Sequence, residues 1–128
     1  MSHPVLEFYR KNFNPDLSPD QEDLILSFFR QEVYKKKDRI FNQGDSNTRH
    51  YIIEKGLVRL YLLDYAGKEF NIIFAKENQI IGDLSTPRPT NYYLETIEAS
   101  TVWSNSLYAA FLCIHSKKAC IPSLQNRR

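Results

Sequence analysis

At 128 residues, with 42% hydrophobic and 25% charged, the chain has the makeup of one globular domain able to bury a core. Seventeen Lys and Arg against 15 Asp and Glu leave a formal charge of +2, which gives no electrostatic case for a nucleic-acid groove. No run approaches the roughly 18 apolar residues of a membrane span, Met1–Val5 lacks the regions of a signal peptide, and Cys113 and Cys120 read as reduced thiols of a cytoplasmic protein.

Val5, Phe8 and Tyr9 fall near helical spacing, so 5–13 is predicted as a short amphipathic helix, broken by Asn14-Pro15-Asp16. A second helix is announced by its start: Ser18 as N-cap, Pro19 at the first position, Asp20 favourable to the dipole and Gln21 closing a capping box. Leu24, Ile25, Phe28 and Phe29 form its apolar stripe, and the pattern predicts that it reaches about Arg30 or Gln31. From Val33 the pattern turns to strands. Val33–Lys35 and Arg39–Phe41 are short and flank the charged run Lys35–Asp38, which reads as a solvated turn. Asn42–Asp45 is the next turn.

All four glycines of the chain, Gly44, Gly56, Gly67 and Gly82, lie between Phe41 and Leu84 and punctuate apolar segments. Leu57–Leu63, the loop Asp64-Tyr65-Ala66-Gly67 and Lys68–Phe74 predict a β-hairpin closed by a left-handed residue at Gly67. Phe70, Ile72 and Phe74 alternate with Glu69, Asn71 and Ala75, the period of a half-buried strand. Gln79–Leu84 ends a strand, and Pro87 and Pro89 bar a regular helix through Arg88. Tyr92–Glu98 resumes strand character with Tyr92 and Tyr93 on opposite faces, and Thr101–Trp103 completes the set. Leu107, Phe111 and Ile114 share one face of a short helix that Pro122 stops. Short strands with turns roughly every 8–12 residues read as a sandwich, barrel or jelly roll. The predicted organisation is helices over 1–31, a β-roll over 32–104, and a short helix and tail over 105–128.

The residues of common catalytic sites are missing. His3, His50 and His115 are scattered with no His-x-His pair, and there is no P-loop and no G-x-S-x-G. Cys113 and His115 are too close in sequence to suggest a dyad. An enzyme is not expected and neither is a metal site. A cupin-like small-molecule binder is the lesser alternative.

Phe41-Asn42-Gln43-Gly44-Asp45, Tyr51–Val58, Gly67-Lys68-Glu69 and Ile81-Gly82-Asp83-Leu84, in that order, resemble the cyclic-nucleotide-binding domain of Crp/Fnr-type transcription regulators. The resemblance covers about 18–103. It implies a mainly β protein with flanking helices: an eight-stranded double-stranded β-helix, or jelly roll, that serves as a cytoplasmic ligand-sensing domain. It also implies a phosphate-binding cassette, in which Gly82, Asp83 and Leu84 match a Gly-Glu-Leu with the carboxylate one methylene shorter. Thr90 and Asn91 stand where an Arg and a Ser belong, Tyr92 stands where a small residue belongs, and Arg88 lies two residues early. The implied ligand is a cyclic nucleotide or another small anion, gripped by helix N–H groups and an arginine, with cyclic AMP held weakly if the arginine is out of place. A ligand-free interaction module is the alternative. DNA would be met only through a C-terminal domain that does not follow Trp103 here, and assembly is expected to be a monomer or a dimer through a surface such as Leu107, Phe111 and Ile114.

Overall fold

The computed structural model describes residues 3–46, 49–83 and 89–106. Leu84, Arg88, the Leu107–Ile114 segment, Cys113, His115, Cys120 and Pro122 lie outside the described residues.

Two helices come first, α1 (Pro4–Asn12) and α2 (Pro19–Ser27). The capping box forms as its sequence demands: Gln21 N donates to Ser18 Oγ over 3.2 Å and Ser18 N donates to Gln21 Oε1 over 2.8 Å. The C-terminal end differs from expectation. α2 stops at Ser27, with Phe28 as its cap, and Phe29 opens a strand instead of a fourth helical turn. The reason is tertiary. As a strand residue Phe29 pairs with Asn105 and keeps its ring in the apolar cluster beneath the helices, beside Val5, Ile25 and Ile52.

Eight strands follow: β1 (Phe29–Tyr34), β2 (Arg39–Phe41), β3 (Arg49–Lys55), β4 (Val58–Leu63), β5 (Glu69–Ala75), β6 (Ile80–Gly82), β7 (Tyr93–Thr96) and β8 (Ser100–Ser106). They form two antiparallel four-stranded sheets, ordered β1-β8-β3-β6 and β2-β7-β4-β5. Alternation assigns the faces. Tyr51 and Ile53 of β3 point between the sheets with Leu60, Leu94 and Val102, whereas Ile52 points outward to the helices. The domain is therefore a two-sheet roll with both helices on the outer face of the first sheet.

The hairpin is built as predicted. Gly67 has φ +83°, its N–H donates to Asp64 O over 3.0 Å, and Asp64 Oδ1 accepts from Ala66 N and Lys68 N. The return strand is not. β5 was expected to bury one face, yet Phe70, Ile72, Ile73 and Phe74 are 44–52% exposed and Ala75 alone is buried. Two non-local facts explain it. β5 is an edge strand, and a bulge at Ile72 slips the register so that Ile73 pairs with Leu60 while Phe74 pairs with Arg59. Phe70 and Phe74 thus end on opposite faces, and the apparent period of two is broken in the middle.

Candidate functional site

The cassette segment leaves the first sheet at β6 and enters the second at β7. Gly82 is the last residue of β6 and sits opposite His50 of β3. A side chain there has no room: a Cβ would lie 2.8 Å from Arg49 O and 3.0 Å from His50 Cδ2. Close backbone approach is the reason for this glycine.

Asp83 follows and is buried, 5% exposed. Across the cassette its carboxylate accepts a short hydrogen bond from the hydroxyl of Thr90, itself 2% exposed. Thr90 is fixed from three sides. Its N–H donates to Asp45 O over 3.0 Å, its carbonyl accepts from Gly44 N over 2.8 Å, and its hydroxyl accepts from Tyr92 N over 3.1 Å. The Asn42–Asp45 turn, with Asn42 N donating to Asp45 Oδ2 over 2.9 Å, is thereby a clamp on the cassette. In the sequence this stretch shows as a turn and as part of the family resemblance, not as a contact of Thr90.

Of the residues singled out from the sequence, Gly82, Asp83 and Thr90 come together. Asn91 is adjacent and exposed. Tyr92 is partly buried against the core between the sheets, whereas Tyr93 stacks on Tyr61 on the outer face of the second sheet, with ring centroids 5.2 Å apart. The two tyrosines take opposite faces as predicted.

Replacing Thr90 by Val is expected to cost about 1–3 kcal/mol, the penalty for removing a buried donor from an acid. Chemical denaturation of Thr90→Val beside Thr90→Ser checks this, with Ser recovering most of the loss because it restores the hydroxyl.

Behind Gly82 lies a buried polar row that the sequence did not signal. His50 pairs with Gly82 on one side and Asn105 on the other; His50 is 1% exposed and Asn105 fully buried. Among the described residues, neither imidazole nitrogen of His50 and neither polar atom of the Asn105 amide has a hydrogen-bond partner. Burial pushes the His50 pKa down to about 4, opposed by the nearby negative charge of Asp83, so the ring is neutral at pH 7.

The inner side of β5 carries apolar residues. Ile73 lies beside Leu60 and Phe70 beside Leu62, and β5 packs against β6. Ile73 is 46% and Phe70 44% exposed, so this strip is about half open.

The described residues thus form an eight-stranded β-roll in which a glycine–acid pair ends β6, between the two sheets. Residues 31–108 match the family described as the cyclic nucleotide-binding domain, and the chain belongs to that family. The cyclic AMP receptor protein of Thermus thermophilus is 32% identical over 69 residues, which are 54% of this chain and 32% of that protein. The chain thus spans about a third of that curated relative. Among solved structures, the Thermus thermophilus catabolite activator protein superposes with a TM-score of 0.67 at 21% identity, over 96% of this chain and 55% of that one. The N-terminal domain of a transcriptional regulator from Streptomyces coelicolor gives 0.69 at 18% identity, over 94% and 89%. The sensor domain of the regulator DNR from Pseudomonas aeruginosa gives 0.65 at 21%, over 97% and 73%. These structures share the Crp/Fnr-type β-roll. No helix among the described residues is long and apolar enough to cross a membrane.

Proposed function

We propose that this chain is the effector-sensing domain of a Crp/Fnr-type transcription regulator, and that its cassette over Gly82–Asn91 takes a small anion but holds cyclic AMP weakly. The observation that carries the second half is the buried bond between Thr90 and Asp83. In this family the acid after the glycine receives a ribose hydroxyl. Here that carboxylate is buried and engaged by a side chain of its own cassette. Thr90 also occupies the position where the phosphate-binding arginine belongs. A ribose would have to displace the Thr90 hydroxyl, and the phosphate would lack a cation in register. Each effect lowers affinity. A missing charged hydrogen bond alone costs about 1.5–3 kcal/mol, roughly tenfold to more than a hundredfold.

The apolar strip of Phe70 and Ile73 supports a ligand with a flat apolar part, and the family resemblance points to the N–H groups after Gly82 for the anion. A role in regulation rather than catalysis follows from the family. The second reading is an interaction module without a ligand; it is favoured by the exposed side chains of β5, the pattern of a strand that meets another surface.

Calorimetric titration with cyclic AMP and cyclic GMP, of the wild type and of Arg88→Ala, separates these readings. The expected result is weak binding, about 100 μM or poorer, weakened further by Arg88→Ala. No heat with either nucleotide favours the interaction module. Micromolar binding abolished by Arg88→Ala means that the displaced arginine reaches the phosphate, and the cassette is then competent.

A further inference from the structure

A concavity of about 340 Å³ opens between the start of β1 and the β2–β3 loop, with Arg30, Glu32, Ile40, Asp45, Arg49 and Tyr51 in its walls. β1 and β2 are the edge strands at one side of the roll, and β5 and β6 are the edge strands at the other. This cavity therefore lies away from the apolar strip of the cassette site. Its volume is at the low end of ligand pockets, about 300–1,000 Å³.

The charged groups in its walls are of two kinds. Glu32 is fully engaged: it accepts from Arg30 Nε over 2.8 Å, from Ser104 Oγ over 2.9 Å and from the Tyr34 hydroxyl. Those donors hold its carboxyl below the usual carboxylate range against the cost of burial. Arg49 and Asp45 are different. No ion pair joins them, and among the described residues Arg49 has neither a salt bridge nor a hydrogen-bonded side-chain partner. Among the described residues the Asp45 carboxylate accepts only from Asn42 N. Both side chains line the same cavity as Tyr51. A lone anion entering here meets Asp45, and a lone cation meets Arg49. A molecule carrying both charges satisfies both, while Ile40 and the ring of Phe41 offer apolar surface.

We propose that this cavity is a second small-molecule site and that it takes a free α-amino acid with an apolar side chain, its carboxylate on Arg49, its ammonium on Asp45 and its side chain against Ile40. The assignment does not depend on what the cassette holds. The loop that carries Asp45 also clamps Thr90, so the two sites share a structural element.

The test is calorimetric titration of the full chain with L-leucine, L-methionine and L-phenylalanine, and with the N-acetyl and carboxamide forms of the tightest binder. At least one amino acid is expected to bind with a Kd of about 1 mM or tighter. Either blocked form should bind tenfold or more weakly, because it loses one charged contact. Arg49→Gln and Asp45→Asn should each weaken the parent amino acid to the same degree. Absence of binding by all three amino acids overturns the proposal. So does binding that is indifferent to both blocked forms, a result obtained on the wild type that does not require either variant to fold.

Discussion

Acidification from pH 7 to about 4 is expected to remove roughly 3 kcal/mol of stability through His50 alone. The folded pKa of about 4 lies below the ordinary value near 6.5, because the ring is buried with no acceptor for an added proton. Between these two values the unfolded chain binds a proton that the folded chain refuses. Stability from this group is therefore complete above about pH 6.5 and falls as pH drops through that window toward 4. Asp83 reduces the effect, since its negative charge favours the imidazolium. Glu32 acts in the same direction but lower, because its pKa is depressed from a value near 4.5. The two are separable. Urea denaturation of wild type and His50→Leu across pH 4–7 should show the wild type losing stability relative to the variant as pH falls, with the variant losing most of its pH dependence above pH 5. Parallel curves for the two proteins would show that His50 is protonated or partnered in the folded state.

Gly56→Ala is expected to destabilise the domain by about 2–5 kcal/mol. Gly56 joins β3 to β4 with φ +112°, a conformation that side chains rarely adopt. The added methyl would also lie 2.2 Å from Ser100 Oγ and 2.8 Å from Ala99 O. Ser100 cannot simply swing aside, since it is 3% exposed and its hydroxyl donates to Glu98 O over 2.8 Å. Ala99 O is backbone and can move only with the start of β8. Gly44→Ala is the control: its φ is +95° but the space around it is open. It should lose only the conformational part, about 1–2 kcal/mol. Thermal and urea midpoints of the pair measure the two contributions, and equal losses would remove the steric half of the argument.

The parts of the fold that were legible in the sequence are those fixed by neighbours in the chain. The capping box at Ser18 and the Asp64–Gly67 turn are complete chemical statements within four residues, and both form as read. The end of α2 was not legible, because the apolar pair Phe28-Phe29 suits a helix stripe and a strand equally. Pairing with Asn105, far along the chain, decides for the strand. The exposure of β5 depends on edge position and on a bulge, neither of which leaves a local mark. The same division holds at the site. The order of turns brought Gly82, Asp83 and Thr90 into consideration through a family likeness. That Thr90 would bond Asp83, and that the Asn42–Asp45 turn would clamp Thr90, depends on two loops meeting at the end of the roll. The buried pair His50 and Asn105 gave no signal, since a lone histidine in a strand has the same local sequence whether its ring is solvated or enclosed.

The central proposal is that the bond between Thr90 and Asp83 closes the cassette on itself, with no cation in register among the described residues. The most direct measurement is the affinity for cyclic AMP of the wild type beside the double variant Thr90→Arg/Asn91→Ser, which breaks the internal bond and supplies the family's residues together. The double variant is predicted to bind cyclic AMP about tenfold to a hundredfold more tightly than the wild type. A folded double variant with no gain, or a wild type that already binds at micromolar concentration, would contradict the account.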